Sequence, residues 1–295
     1  MKTSFIISLL YLGLFTAQVR AQNPIATDTA LTTRHGPEQG SLVIIGGGDI
    51  GDEIWDKFIE LAGGKDSAFF VVVTNATPTP SEYITNSLAG FEKRIGKNRF
   101  SVLNLKTIRE ANDEKNLRDL KKATGVFFIG GRQWRISEVY LNTLAHQEFF
   151  NVLARGGVIA GTSAGASIQG SFLWRGDTKG HHIIAGDHTQ GLGFLRNSAI
   201  DQHILTRNRQ ADLSEFIRIA PQFIGIGIDE STAAVVGRDT LEVIGKSYTA
   251  IHDAKSLPFF FLREGQKYDL KERRIIRPPR RPRGENNNPQ PASEQ

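Results

Sequence analysis

The chain of 295 residues carries 36 Lys or Arg against 31 Asp or Glu, a formal charge of +5, with 39% hydrophobic residues. That length suffices for one large or two smaller domains with a sizeable core. Cysteine is absent, which excludes disulfides, a thiolate nucleophile and lipid attachment at cysteine.

The charge is unevenly spread. Met1-Lys2-Thr3-Ser4 precedes an apolar stretch from Phe5 to Phe15, and Val19-Arg20-Ala21 stands before Gln22. A basic start, an apolar core and a small residue at the cut predict a secretion signal over residues 1 to 21, hence export to a periplasm or the exterior. Polar residues 22 to 37 read as a flexible segment. At the other end, residues 271 to 295 (KERRIIRPPRRPRGENNNPQPASEQ) hold seven Lys or Arg against three Glu. They read as a basic, Pro/Asn/Gln-rich disordered tail able to touch an anionic surface. What remains, residues 22 to 270, has a formal charge of −1. No run after the first residues is long enough to span a membrane, and no zinc-finger spacing or aromatic-basic interleaving points to nucleic acid.

Between these ends, apolar β-branched runs alternate with stretches of helical spacing. SLVIIGGG begins near residue 41, SAFFVVVTNAT near 67, RFSVLNL near 99, TGVFFIGG near 124 and GGVIAGTSAG near 156. The intervening DEIWDKFIELAGG and WRISEVYLNTLAHQEFFNVLARG repeat apolar residues every three or four positions. That rhythm predicts βαβ units: an α/β fold with a mostly parallel central sheet and helices on both faces. FIGIGIDESTAAVVG with TLEVIGKS, and then LPFFFLREGQKYDL, read as short strand pairs at the sheet edge. No Pro/Gly/Ser linker divides the body, so residues 38 to 270 read as a single domain.

GGVIAGTSAGASIQG carries the strongest chemical signal. A buried strand accounts for Val158 and Ile159, but not for a serine, Ser163, enclosed by Gly161, Ala164 and Gly165. A sharp strand-to-helix turn needs such small neighbours to present its hydroxyl above a sheet, which is a nucleophile elbow. The Ala164 N–H, with Gly131 of FFIGGRQW as a second donor, would then face the oxyanion of an attacked carbonyl. A serine needs a base. His203 in SAIDQHILTRNRQADL is preferred, with His181, His182 and His188 as rivals. For the acid that orients the base, Glu230 in GIGIDESTAAVV comes first, with Asp201 and Asp229 as alternatives. GGGDIGDE near residue 46 lacks both the G-x-G-x-x-G order and a P-loop lysine, and reads as a tight turn. The His spacing in the 181 to 188 stretch is too weak to name a metal.

FIGGRQW, GGVIAGTSAGAS, GLGFL, IDQHILTRNR and GIGIDESTA stand in this order through most of residues 41 to 236. In that combination the chain resembles the cyanophycinase family of serine peptidases, allied to dipeptidase E. The resemblance implies a flavodoxin-like sheet of the class I glutamine amidotransferase kind. It implies Ser163 as nucleophile, His203 as base and acid, Glu230 as its partner, and Gln133, Asp201, Gln202, Arg207 and Arg209 as pocket residues. It further implies a homodimer, catalysis without metal or organic cofactor, and cyanophycin as substrate. That polymer has a polyaspartate backbone with arginines joined to its side chains, and cleavage releases β-aspartyl-arginine. Arginines would pair with a carboxylate, and Asp201 would receive an amino group or guanidinium. Two positions depart from the family pattern. Arg132 replaces a shorter acidic or amide residue, and Asp212 stands where another basic pocket residue is expected, so charge recognition is the property most open to change.

Overall fold

The computed structural model describes residues 34–256 and 258–277. The expected secretion signal, residues 22 to 33, and residues 278 to 295 of the expected tail lie outside the described residues.

The first half is a run of crossover units. β1 (Ser41–Ile45) leads to α1 (Asp52–Leu61), β2 (Phe70–Val73) to α2 (Glu82–Ile95), and β3 (Phe100–Leu103) to the short helices α3 (Ile108–Ala111) and α4 (Arg118–Lys122). β4 (Gly125–Phe128) is followed by α5 (Gln133–Tyr140) and α6 (Leu144–Ala154), and β5 (Val158–Thr162) by the single-turn α7 (Ala164–Ser167). Helix α1 buries Ile54, Trp55, Phe58 and Ile59 and opens on Asp52 and Glu53, where acidic side chains suit the positive end of the helix. Helix α2 buries Ile84, Phe91 and Ile95, carries Lys93 and Arg94 in its last turn, and stops at Gly96, whose φ of 96° ends the helix.

The five early strands form the parallel part of a nine-stranded sheet, β1 flanked by β5, then β4, β2 and β3. All five apolar runs identified above are these strands. Successive residues point to opposite faces, and two cores result. Val43, Ile45, Phe70, Val72 and Phe127 pack under α1 and α2, with Phe91 against Trp55, Phe58, Phe70 and Phe127. Leu42, Ile44, Val71, Val73 and Phe128 face α5, α6 and the rest of the molecule.

The second half builds a further layer. β6 (Gly170–Phe172), β7 (Leu195–Gln202), α8 (Leu213–Ile219) and β8 (Ile224–Ile228) are followed by β9 (Thr232–Gly237), β10 (Thr240–Gly245) and β11 (Tyr248–His252). β12 (Phe260–Arg263), β13 (Lys267–Asp269) and β14 (Arg274–Ile276) complete the described chain. β6, β7 and β8 are parallel and join antiparallel β11 and β12 in a second, five-stranded sheet. Ile200, Ile224, Ile226, Ile228, Ile251 and Leu262 of that sheet share one core with the inner face of the first. The fold is α/β with mostly parallel sheets, and the strand assignments differ from expectation in two places. FIGIGIDESTAAVVG forms two strands, β8 and β9, of which only β9 pairs with β10 as expected, and β12 and β13 do not pair with each other. In each case the chain turns from one sheet into the other, at Ser231 (φ 53°) and at Gly265 (φ 76°). The ordered body also runs past Leu270, because Arg274–Ile276 pairs with Lys267–Asp269 at the edge of the first sheet.

Candidate active site

The carboxyl ends of five parallel strands converge where the two sheets meet, the usual place for a site in an open α/β sheet. β5 ends at Ser163, β4 at Gly130 and Gly131, β7 at Gln202 and His203, β8 at Asp229 and Glu230, and β1 at Gly46 to Gly48. Ser163 has φ 54° and ψ −111°, a left-handed conformation that costs a non-glycine residue about 1–3 kcal/mol. His203 (φ 56°) and Ser231 (φ 53°) also have positive φ. Three successive carbonyls at the exit of β1 hold these turns. Ile45 O accepts from Ser163 N at 3.0 Å, Gly46 O from His203 N at 3.0 Å, and Gly47 O from Ser231 N at 2.9 Å. One strand end therefore sets the register of all three catalytic candidates.

The side chains close a hydrogen-bonded line. His203 Nε2 lies 2.9 Å from Ser163 Oγ, and His203 Nδ1 lies 2.5 Å from Glu230 Oε1. With Nδ1–H donated to the carboxylate, Nε2 is left as the acceptor for the serine proton. His203 is 6% exposed. Burial pushes its pKa below the ordinary imidazole value against the upward pull of Glu230, and Arg207 and Arg209 add to the lowering. The imidazole is therefore neutral at pH 7, as a base must be.

The rival groups make other contacts. The His181 and His182 rings pack against each other, tilted by 42° with centroids 4.0 Å apart, and His188 sits between Asp187 and Glu138. Asp229 accepts from the Leu205 and Thr206 N–H groups and from Ser247, so it fixes the loop that follows His203. Asp201 does not face the cleft. It is 0% exposed and takes hydrogen bonds from Trp174 Nε1 at 3.1 Å and Arg175 Nε at 3.0 Å.

A cleft of about 960 Å³ opens in front of Ser163. Gly131, Gln133, Gln202 and Arg207 line it as expected, together with Arg132 and His181. Gly130 donates its N–H to Tyr83 Oη and Arg132 donates to Ala76 O, while the Gly131 N–H takes no such bond among the described residues. Ala164 opens α7, where first-turn N–H groups have no acceptor inside the helix. Arg132 and Arg207 meet no carboxylate among the described residues, so this wall is cationic. Arg209 and Asp212 correct the pocket assignment. Arg209 is buried behind the wall, 3.9 Å from Asp201, and Asp212 is paired with Arg175.

The glycines after β1 are site residues whose role the sequence reading missed. A Cβ on Gly47 would lie 2.1 Å from His203 Cε1, and one on Gly48 would lie 2.8 Å from Glu230 Cβ. Three glycines closing a strand, with no nucleotide motif to explain them, were the available signal.

Serine, histidine and glutamate in hydrogen-bonded order over the carboxyl ends of parallel strands make a serine-hydrolase constellation on an α/β fold. The chain belongs to peptidase family S51, whose model matches residues 42–244. It is 30% identical over 238 residues to a cyanophycinase of Geminocystis herdmanii, covering 75% of this chain and 83% of that one. It is 31% identical over 235 residues to a cyanophycinase of Trichormus variabilis, covering 74% of each. Among solved structures, a peptidase from an acI-B1 Actinobacterium superposes with a TM-score of 0.62 at 23% identity, over 80% of this chain and 98% of that one, a likeness of fold. The protein is thus a serine-type peptidase.

Proposed function

We propose that this peptidase is an exported exopeptidase that cleaves aspartyl polymers or peptides through an acyl-enzyme, with cyanophycin as the first substrate to examine. The observation that carries the reading is the Ser163–His203–Glu230 line beside two guanidinium groups, Arg132 and Arg207, that meet no carboxylate among the described residues. A planar guanidinium recognises a carboxylate with two parallel hydrogen bonds. Both a free aspartyl side chain and the α-carboxylate of an arginine linked through it offer that group. The relatives named cyanophycinase support the second form. The basic, apolar and small-residue order of positions 1 to 21 supports export.

In the reaction, His203 Nε2 takes the Ser163 proton as Oγ attacks the carbonyl, and Glu230 holds the imidazolium. The Gly131 and Ala164 N–H groups receive the developing oxyanion. His203 then passes its proton to the departing amine, and water enters by the reverse relay to free the acyl group and restore Ser163. The chain's own groups suffice for every proton movement.

The test incubates the protein with cyanophycin and with α- and β-aspartyl peptides, beside S163A, and reads products by mass spectrometry. Release from an aspartyl substrate that S163A lowers by at least about 10³-fold is expected. Equal cleavage of non-acidic peptides, or full activity in folded S163A, would contradict the proposal.

A further inference from the structure

The exit of β4 is held by the connection that leads from β2 into α2. Thr77 Oγ1 donates to Gly130 O at 2.9 Å, and Ala76 O accepts from Arg132 N at 2.8 Å. Beside these two bonds Tyr83, in the first turn of α2, accepts the Gly130 N–H on its phenol oxygen at 3.2 Å. That oxygen lies close to the nucleophile: a methyl group built on Gly130 would be 2.7 Å from Tyr83 Oη and 3.4 Å from Ser163 Cβ. Tyr83 and Gly130 both line the cleft. A phenol accepts through its oxygen and donates through its one proton. Here the oxygen is used, and the O–H has no acceptor among the described residues. Tyr83 is 46% exposed, which leaves that O–H free to turn into the cleft.

We propose that Tyr83 is a further catalytic residue: its O–H hydrogen-bonds the negative oxygen that forms when Ser163 attacks the substrate carbonyl, beside the Gly131 and Ala164 N–H groups. This rests on the serine mechanism given under Proposed function, but not on the identity of the substrate. The Gly130 N–H is directed at the phenol, so the hydroxyl carries its donation forward. An N–H given to the phenol oxygen polarises the O–H and strengthens it as a donor. The bonds from Thr77 and to Ala76 fix the loop on which the Gly131 N–H and the phenol must converge, and donors fixed before the charge develops are what an oxyanion site needs. No proton leaves the tyrosine. His203 alone carries the proton from Ser163 to the departing amine, and Tyr83 acts only on the oxygen whose charge appears in the transition state and vanishes when the tetrahedral species collapses.

Tyr83→Phe removes the O–H and keeps the ring. Two measurements compare it with the wild type, once circular dichroism has shown both to be folded. The first is the rate at which a fluorophosphonate labels Ser163, followed by mass spectrometry. The bond from Ser163 Oγ to phosphorus forms as fluoride leaves, the phosphoryl oxygen takes the place of the oxyanion, and no substrate need be known. The second is cleavage of an aspartyl peptide. Labelling slower by at least about tenfold is expected, with kcat lowered by at least about tenfold and KM unchanged within about threefold. In the S163A background, Tyr83→Phe should leave the Kd of the uncleaved peptide unchanged, because the charge that the O–H meets is absent from the ground state. A loop merely displaced by the substitution would lose that affinity too. Labelling slowed by less than about tenfold would overturn the proposal, and so would a loss that falls on KM or on peptide binding with kcat retained. Gly130→Ala presses on the same hydroxyl, so its loss of labelling rate should not add to that of Tyr83→Phe, and fully additive losses would contradict the proposal. A wild type that labels at Ser163 but cleaves no aspartyl peptide would refute the substrate reading alone, with Tyr83 still decided by the labelling rates.

Discussion

A hydroxyl becomes a nucleophile only when its proton has somewhere to go, and at Ser163 that place is a neutral, buried imidazole. Because burial holds the His203 pKa below the ordinary imidazole value, activity should rise with pH through a transition on the acid side of that value, as the base loses its proton. Glu230 opposes the burial by stabilising the imidazolium. Glu230→Gln should therefore move the transition to still lower pH while cutting kcat by roughly 10³ to 10⁴-fold. A kcat/KM profile of both proteins checks this, and a shift to higher pH would show that Glu230 does not carry the histidine's countercharge. At this scale much of the site was legible in the sequence. Ser163 stood out because an elbow explains small residues on both sides of a serine after a strand, and a candidate base and acid elsewhere in the sequence favoured it over an ordinary tight turn. Asp201, Arg209 and Asp212 were misplaced because a sequence shows that a charge exists but not which neighbour neutralises it. Arg175, the partner of Asp201 and Asp212, sits 26 positions before Asp201 in a stretch with no periodic signal.

Among the elements, the exit of β1 has the largest consequence for function. Its three carbonyls hold Ser163, His203 and Ser231, and its glycines leave the volume that the imidazole and the Glu230 side chain occupy. Gly47→Ala places a methyl group 2.1 Å from His203 Cε1. The ring must move by about an ångström, and misplacement of that size costs on the order of 10²-fold in rate. Gly63→Ala is the matched control. It imposes a side chain at a comparable positive φ, 101° against 115°, with nothing within 4 Å. Both variants should lose some stability, but only Gly47→Ala should lose kcat. Equal activity loss in the two would mean that backbone strain, and not the space beside His203, is what these glycines serve. The strands themselves were readable from their runs of Val, Ile and Phe, whereas their partners were not. A run such as FIGIGI fits a central strand of either sheet, and the turns at Ser231 and Gly265 decide which one it joins.

For the whole molecule, the active site depends on two sheets staying packed, since β1, β4 and β5 belong to one and β7 and β8 to the other. His252 is buried in that assembly, and His35 and His146 are half-buried. Burial pushes His252 down to about 4, and His35 and His146 are lowered for the same reason. A histidine kept neutral by folding binds its proton first in the unfolded chain. The stability it supports is present above the ordinary imidazole pKa and is lost as pH falls through the folded value. For His252 alone the span corresponds to about 3 kcal/mol. Urea midpoints should therefore fall steadily from pH 7 to pH 4, and His252→Gln should flatten part of that slope. A midpoint independent of pH across this range would contradict the burial of these rings. The sequence showed a single body of apolar runs, but not that β6, β7, β8, β11 and β12 form a separate sheet, because strands gathered from distant positions leave no local signature of their pairing.

The account stands or falls on covalent chemistry at Ser163. Acid-quenching the protein in mid-turnover on an aspartyl substrate and mapping the peptides by mass spectrometry tests it directly. An acyl group on the peptide carrying Ser163, absent from S163A and lost on incubation in water, is the expected result. Sustained turnover by S163A, or an adduct on any other side chain, would contradict it.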